Sequence, residues 1–266
     1  MTADVLAAVV ASAKRSAEER ARSHPLRDLE RAAASRVARP GAFRAALEAP
    51  GVRVVAECKR RSPSKGVLRA TYDPVTIAHA YATAGAAAIS VLTEATFFDG
   101  SLDHLRAVRD AVRLPVLRKD FVVTDIQVVE AREAGADAVL LIVAALEQPA
   151  LVRLLARARE WQLDALVEVH DRDELARAID AGASIVGVNS RNLRTLAVES
   201  SAFEEVAPAL PAGAVAVAES GLGSGRDLQR LRAMGYRAFL IGERLMAAPD
   251  PGRALTELLR DAEAPA

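Results

Sequence analysis

The chain has 266 residues, 51% of them hydrophobic, and its 35 basic side chains balance its 35 acidic ones. A chain without net charge lacks the basic surface that holds a nucleic acid backbone, so we expect no nucleic acid partner. No apolar run is long enough to span a bilayer, and Met1-Thr2-Ala3-Asp4 has no basic signal-peptide region. The single cysteine, Cys58, excludes an intramolecular disulfide and argues against a cysteine-rich zinc site. We therefore expect a cytoplasmic protein without a membrane partner. Separately, we expect it to be a monomer.

The first fifty residues predict a helical extension. Apolar residues share one face of a helix from Asp4 to about Arg20, and His24-Pro25 breaks this helix. A second helix covers Leu26 to Val37, and a short third helical piece comes after it. We expect residues 1–48 to precede the first strand as this extension.

After Gly51, short apolar runs alternate with amphipathic helical stretches. The predicted strands are Val52–Glu57, Ala87–Leu92, Pro115–Lys119, Ala138–Val143, Ala165–Val169, Ile185–Asn189, Ala214–Ala218 and Ala238–Ile241. The predicted helices between them are Asp73–Ala84, Leu102–Ala111, Asp125–Ala134, Gln148–Trp161, Arg172–Ala181, Ser201–Ala209 and Gly225–Met234. This order predicts an α/β fold, a (β/α)₈ TIM barrel over about residues 52–262, within one domain that covers residues 1–266. A doubly wound open sheet alternates similarly, but no Gly-x-Gly-x-x-Gly fingerprint follows the first strand.

The C-terminal ends of the predicted strands carry charged and amide side chains. In a (β/α)₈ barrel these ends form the active site. Residues two apart on a strand share a face, so Lys119 points the same way as Leu117, and Glu168 the same way as Leu166. When the apolar member lies inside the barrel, the charged member lies at its mouth. We expect six such side chains to converge there: Glu57, Lys59, Lys119, Glu168, Asn189 and Glu219.

Two glycine-containing turns indicate where a phosphate group would bind. Ser220-Gly221-Leu222-Gly223 follows the seventh strand and opens a helix, and Gly242-Glu243 follows the eighth. Such turns in barrels commonly bind phosphate through backbone N–H groups and a helix N-terminus. Either one alone is more often an ordinary tight turn, but both together in this position favour a phosphate site. Arg191, past the sixth strand, would add a charged contact.

Apolar side chains near the strand ends predict a pocket for a flat ring. Phe97 and Phe98 lie in the loop after the second strand, where adjacent aromatic residues can line a binding site. Phe121, Leu140 and Leu193 follow or end other strands and complete the predicted wall with Phe98. His170 lies one residue past the fifth strand, where a histidine more often packs locally than it catalyses.

Longer motifs follow one another along nearly the whole chain. They include Ala56-Glu57-Cys58-Lys59-Arg60-Arg61-Ser62-Pro63-Ser64-Lys65-Gly66, Leu117-Arg118-Lys119-Asp120-Phe121, Leu166-Val167-Glu168-Val169-His170, Gly187-Val188-Asn189-Ser190-Arg191-Asn192-Leu193 and Ala218-Glu219-Ser220-Gly221. In this order they resemble the indole-3-glycerol phosphate synthase family of tryptophan biosynthesis. The departures are small: Cys58 stands where the family often has an aliphatic residue, and Phe97 where a tyrosine is also common.

The resemblance implies a carbon–carbon lyase without a metal or organic cofactor. Its small-molecule substrate would be 1-(o-carboxyphenylamino)-1-deoxyribulose 5-phosphate, which closes a ring, loses CO₂ and then loses water to give indole-3-glycerol phosphate. By the same resemblance, Lys119 is the general acid of ring closure and Glu168 the acid/base group of dehydration. Because one strand separates the third from the fifth, we expect these two groups to flank a bound ring without touching.

The remaining roles also follow from the resemblance. Lys59 would contact the substrate carboxylate, and Glu57 and Asn189 would orient the reacting groups. Glu219 would bind a sugar hydroxyl. The implied substrate contacts are Ser62, Phe98, Phe121, Leu140, Arg191 and Leu193, and the implied phosphate contacts are Ser220, Gly221, Gly242 and Glu243.

Three other functions fit parts of the pattern. A related isomerase, which acts on phosphoribosylanthranilate, needs a cysteine base on the first strand, but Cys58 alternates with Glu57 and Lys59 and so faces the helices. A lysine Schiff-base aldolase would use Lys119 as a nucleophile. A non-catalytic phosphate-binding barrel would need no pairing of Lys119 with Glu168.

Overall fold

A computed structural model describes residues 4–23 and 25–264. Some residues used in the sequence analysis lie outside the described residues: Met1, Thr2 and Ala3 at the N-terminus, and His24 at the predicted helix break. Eight parallel strands pair in sequence order, and the last pairs with the first, so the sheet is a closed barrel. The strands are β1 (Arg53–Cys58), β2 (Ala88–Leu92), β3 (Val116–Lys119), β4 (Ala138–Ile142), β5 (Asp164–Val169), β6 (Ile185–Asn189), β7 (Val215–Glu219) and β8 (Ala238–Ile241). The (β/α)₈ prediction is confirmed, with each strand within one residue of its expected bounds.

The helices surround this barrel. They are α1 (Val5–Ser23), α2 (Leu26–Ser35), α3 (Ala42–Glu48), α4 (Pro74–Thr83), α5 (Ala95–Phe98), α6 (Leu102–Ala111), α7 (Asp125–Glu133), α8 (Gln148–Glu160), α9 (Arg172–Asp180), α10 (Ser201–Val206), α11 (Gly225–Ala233), α12 (Glu243–Ala247) and α13 (Pro251–Glu263). The sequence reasoning missed α5, α12 and α13. The sequence signal for α13 was present, since Asp250 caps its first turn, Pro251 lies at its start, and Leu255 and Leu258 are buried on one face.

Alternation along the strands separates two apolar clusters. One side of each strand packs under the helices, and Cys58 lies there, fully buried. The other side fills the barrel interior, where Leu117, Leu166 and Val217 are buried as expected. Helix α3 contributes buried Phe43 and Leu47 to this inner cluster.

The N-terminal extension packs against the barrel at several points. Leu6 and Val9 of α1 belong to the same inner apolar cluster as Leu140. Farther along α1, Arg20 donates two hydrogen bonds to the Glu130 carboxylate of α7, at 2.6 and 2.9 Å. The extension is therefore attached both at the barrel mouth and on the helical shell. Across residues 4–23 and 25–264, no helix combines the length and apolarity needed to cross a membrane.

The turn-forming residues Ser62-Pro63-Ser64-Lys65-Gly66 predict a loop after β1, and the structure adds strand pairing to it. Arg61–Ser62 pairs with Gly66–Val67 as a short antiparallel ribbon. The turn residues Pro63, Ser64 and Lys65 form its tip, and Ser62 Oγ accepts a hydrogen bond from the Lys65 N–H at 3.3 Å. Proline, serine and glycine marked the turn correctly, but the pairing on either side of it was not predicted.

Candidate active site

A cavity of about 960 Å³ opens at the C-terminal end of the barrel strands. It is lined by these residues of the predicted site: Glu57, Lys59, Ser62, Phe98, Lys119, Phe121, Leu140, Glu168, Asn189, Arg191, Leu193, Glu219, Ser220, Gly221, Gly242 and Glu243. These side chains are brought together because parallel strands of a barrel end on the same face. Helix α1 and the ribbon after β1 contribute further lining residues. Phe97, the other aromatic residue of the loop after β2, is not among the lining residues.

Lys119 reaches across the mouth to two carboxylates. Its Nζ donates a hydrogen bond to Glu168 Oε2 at 3.3 Å and lies 3.6 Å from Glu219 Oε2. The two groups therefore touch in this structure, whereas the prediction that they flank a ring without touching concerns the bound substrate. A lysine side chain is long enough to pass the end of the intervening strand β4, which presents the apolar Leu140 and Ile142 to the cavity.

Glu168 is fully buried and has a polar partner at each oxygen. Oε1 accepts a hydrogen bond from Asn189 Nδ2 at 2.9 Å and lies 3.6 Å from His170 Nε2. The other ring nitrogen of His170 lies 2.9 Å from Glu174 Oε2. His170, to which the sequence reasoning gave only a local packing role, thus faces the central carboxylate of the cavity.

A second ion pair lies at the end of β1. Lys59 Nζ is 2.7 Å from Glu57 Oε1, and the other Glu57 oxygen accepts a hydrogen bond from Ser90 Oγ at 3.3 Å. The two residues share a face, as their spacing on the strand predicted. Gly242 packs directly against Glu57, since an added Cβ would lie 3.0 Å from its Cβ and Cδ.

Burial and charge shift the pKa values of these groups in different directions. Burial acts to raise the pKa of Glu168, but the charges of Lys119 and His170 outweigh it and hold the pKa below the usual range. Burial raises the pKa of Glu219 to about 8, with Lys119 opposing and Glu168 adding to the rise. Burial acts to lower the pKa of Lys119, but nearby Glu168, Glu219 and Glu57 raise it. Lys119 therefore stays an ammonium group, and Glu219 keeps its proton to a higher pH than Glu168 does.

The turn after β7 has an unusual backbone. Ser220 and Gly221 both have positive φ, at +67° and +68°. That conformation costs little for glycine but is strained for serine, and such strain is concentrated at functional sites. The next helix, α11, is capped by its own chain, because Asp227 Oδ2 accepts from the Gly223 and Ser224 N–H groups at 3.0 and 2.7 Å.

The turn after β8 lies close to two cationic side chains. Helix α12 begins at Glu243, directly after Gly242. Arg191 Nη2 donates a hydrogen bond to Glu243 Oε2 at 3.1 Å, and Lys65 Nζ lies 4.0 Å from the other oxygen. Arg191 and Lys65 therefore add positive charge beside this turn.

One side of the cavity is apolar. The rings of Phe98 and Phe121 are 6.3 Å apart between centroids, and Leu140 and Leu193 also line this side. Val5, Leu6 and Val9 of α1 were not predicted here, although they form the apolar face of that helix. Helical periodicity predicted that this apolar face is buried, but it could not predict which part of the barrel buries it.

The family model of indole-3-glycerol phosphate synthase matches residues 6–258. An indole-3-glycerol phosphate synthase of Streptomyces coelicolor is 54% identical over 237 residues, which is 89% of this chain and 87% of that protein. The enzyme of the same name from a Nocardioides species is 51% identical over 254 residues, 96% of this chain and 97% of its own length.

Solved structures of lower identity show the same fold. A thiamine phosphate pyrophosphorylase from Pyrococcus furiosus superposes with a TM-score of 0.62 at 17% identity, over 80% of this chain and 96% of that one. At this identity the likeness concerns the barrel alone.

Proposed function

Because the chain belongs to the indole-3-glycerol phosphate synthase family, we propose that its barrel mouth converts 1-(o-carboxyphenylamino)-1-deoxyribulose 5-phosphate into indole-3-glycerol phosphate. The observation that carries this proposal is the pairing of Lys119 with Glu168, 3.3 Å apart inside the cavity. A proton donor and a proton acceptor that both line the cavity can serve a ring closure followed by a dehydration.

Lys119 would act first. The aryl carbon that bears the carboxylate attacks the ketone carbon of the deoxyribulose, and Lys119 gives a proton to the ketone oxygen, which becomes a hydroxyl. The C–CO₂ bond then breaks, and its electron pair restores the aromatic ring as CO₂ leaves. Glu219 and Glu168 hold the ammonium group of Lys119 in place for this step.

Glu168 would act in the dehydration. The new hydroxyl takes a proton from the Lys59 ammonium group, which lines the cavity, and leaves as water, and a proton is then lost from the five-membered ring to complete the indole. The Glu168 carboxylate is ionised and held by Asn189 Nδ2, so it can accept that proton without moving. His170 lies on the same side and adds positive charge beside it.

The ends of the substrate match the chemistry of the cavity walls. The phosphate group would lie at Ser220-Gly221 and Gly242-Glu243, bound through backbone N–H groups beside Arg191. The carboxylate would meet Lys59, whose position Glu57 determines. The aryl ring would lie on the apolar side, against Phe98 and Phe121 and next to Leu140 and Leu193.

The remaining contacts are assigned by position in the cavity. Glu219 would bind a sugar hydroxyl, and Ser62 would contact the substrate from the ribbon after β1. We also propose that the chain works as a cytoplasmic monomer, since one chain supplies every residue of this site. Size-exclusion chromatography and cell fractionation test that part.

The position of Cys58 weighs against the isomerase alternative. Its side chain is buried under the helices, and burial raises the pKa of its thiol far above the usual range. A cysteine base would need an ionisable thiol inside the cavity. Lys119 as a Schiff-base nucleophile fits less well: its amine lines the cavity, but the neighbouring carboxylates raise its pKa, whereas a nucleophilic lysine needs a lowered one.

The decisive experiment adds the carboxyphenylamino deoxyribulose phosphate to protein purified from a host that lacks its own synthase. We expect indole fluorescence to rise as one CO₂ is released for each substrate consumed. An unchanged substrate, with neither fluorescence nor CO₂, would refute the synthase. Borohydride trapping of a carbonyl substrate on Lys119 would instead support the aldolase.

A further inference from the structure

Gly187 lies in the middle of β6 and has no side chain where a neighbouring carboxylate needs space. An added Cβ at this position would overlap Oε1 of Glu219 and lie 3.2 Å from its Cδ. Leu166 Cδ1 would also lie at 3.2 Å. The backbone of Gly187 is not in the left-handed region, so it is the absence of a Cβ that matters here.

The register shows that the Glu219 side chain bends back into the barrel. Asn189 is the residue of β6 that pairs with Glu219, whereas Gly187 pairs with Val217, two residues deeper. The carboxylate of Glu219 therefore reaches a level below its own backbone. There Oε1 is buried, with no hydrogen-bond partner among the described residues, while Oε2 lies 3.6 Å from Lys119 Nζ.

We propose that Gly187 is a positioning residue of the reaction, because its missing side chain is the space that holds the Glu219 carboxylate deep in the barrel against Lys119. This role rests on the proposed function, in which Lys119 is the proton donor. With a methyl group at position 187, the carboxylate would be forced toward the mouth, and Lys119 would lose one of its two nearby oxygens.

The groups that face Glu219 come from the ends of three strands, β1, β3 and β5. They are Lys119, Glu168, Glu57 and His170. Burial in this space raises the pKa of Glu219 to about 8, so a displaced carboxylate would titrate lower.

The first test measures thermal stability in matched variants. Gly187→Ala should lower the unfolding temperature, and adding Glu219→Asp, which shortens the carboxylate by one methylene, should restore most of the loss. Gly213→Ala is the control, because an added Cβ there meets nothing within 4 Å. If Leu166→Val restores the stability of Gly187→Ala and Glu219→Asp does not, the collision is with Leu166 and the proposal is overturned.

The second test separates kcat from KM in the indole assay. Gly187→Ala should lower kcat about 10²-fold, the loss typical of a misplaced catalytic group, with a much smaller change in KM. Glu219→Asp should cost less in the Gly187→Ala background than in the unaltered protein, because the carboxylate is already displaced. Losses that simply multiply would show that the two residues act independently and would overturn the proposal.

The third test needs no turnover. In protein labelled with ¹³C at the glutamate carboxyl carbons, the Glu219 signal is assigned by its loss in Glu219→Gln. It should titrate near pH 8 in the unaltered protein and lower in Gly187→Ala. An unchanged titration would refute the role of Gly187, whereas the expected shift in a protein without synthase activity would refute the proposed function alone.

Discussion

Two neighbouring residues of β3, one buried and one half-buried, are cations that face opposite sides of the barrel wall. Arg118 points toward the helices, and all three of its side-chain nitrogens donate hydrogen bonds: to Thr93, Asp120, Gln127 and Glu130, at 2.6 to 3.3 Å. Lys119 points into the cavity, with one hydrogen bond of 3.3 Å and a second carboxylate oxygen at 3.6 Å. Each side-chain nitrogen of the buried arginine is hydrogen-bonded, whereas the lysine at the mouth makes a single hydrogen bond.

The balance of positive and negative side chains also differs between the helical side of β3 and the barrel mouth. On the helical side, Arg118 and Arg20 meet two carboxylates, Asp120 and Glu130. At the mouth, Lys59 and Lys119 meet three: Glu57, Glu168 and Glu219. The raised pKa of Glu219 compensates for this excess, because a protonated carboxyl group carries no charge. A structural cluster completes its bonds within the protein, and a reactive cluster leaves one group able to take or give a proton.

Removing the lysine should have the largest effect on activity. We expect Lys119→Met to lower kcat by about 10²–10⁴-fold, the usual contribution of a positioned proton-transfer group, with substrate binding largely retained. The measurement is kcat at saturating substrate, with the exposed Lys14→Met as the control. A loss under about tenfold would make Lys119 a binding contact, and Lys59 would then be tested as the acid.

Removing the arginine should instead affect stability. Arg118→Met leaves Asp120 and Glu130 buried beside a missing cation, which typically costs about 3–5 kcal/mol of unfolding free energy. Denaturant unfolding measures this loss, and Lys14→Met again serves as the reference. If the unfolding free energy fell by less than about 1 kcal/mol, the contrast between the two faces of β3 would be wrong.

Glu168→Gln tests whether Glu168 acts in dehydration while Lys119 acts in ring closure. The amide keeps the shape and an oxygen for Asn189 but cannot accept a proton, so kcat should fall about 10²-fold. Dehydration should slow more than ring closure, and a decarboxylated, hydroxylated intermediate should accumulate before indole appears. Quenched samples analysed by mass spectrometry detect it. Equal slowing of substrate loss and indole formation, without that intermediate, would contradict the assignment.

The smallest expected effect is on the pH dependence of the unfolding free energy. The pKa of Glu219 rises from 4.5 to about 8 on folding, so between these values the folded state binds more protons than the unfolded state. The contribution of Glu219 to the unfolding free energy is complete below pH 4.5 and is lost as the pH rises through about 8. Unfolding free energies from about pH 5 to about pH 9 should therefore fall more steeply for the unaltered protein than for Glu219→Gln. Exposed Glu199→Gln is the control, and parallel curves for all three proteins would exclude the raised pKa.

Alternation along the strands determined much of this from the sequence alone. Period-two geometry is a property of the backbone, so Leu117 with Lys119 and Leu166 with Glu168 could be assigned to the interior without any contact being known. The same alternation placed Cys58 outside the cavity. Glycine and proline marked the turns, and the motifs along the chain identified the family.

Only the tertiary structure decided how deep each group lies and what it touches. The contact of Lys119 with Glu168, the position of His170 beside Glu168 and the space that Gly187 leaves for Glu219 each join different strands. Such distances depend on the stagger and closure of the barrel, which no local pattern contains. The same holds for α1, whose apolar face was readable in the sequence but could have covered any side of the barrel until packing placed it at the mouth.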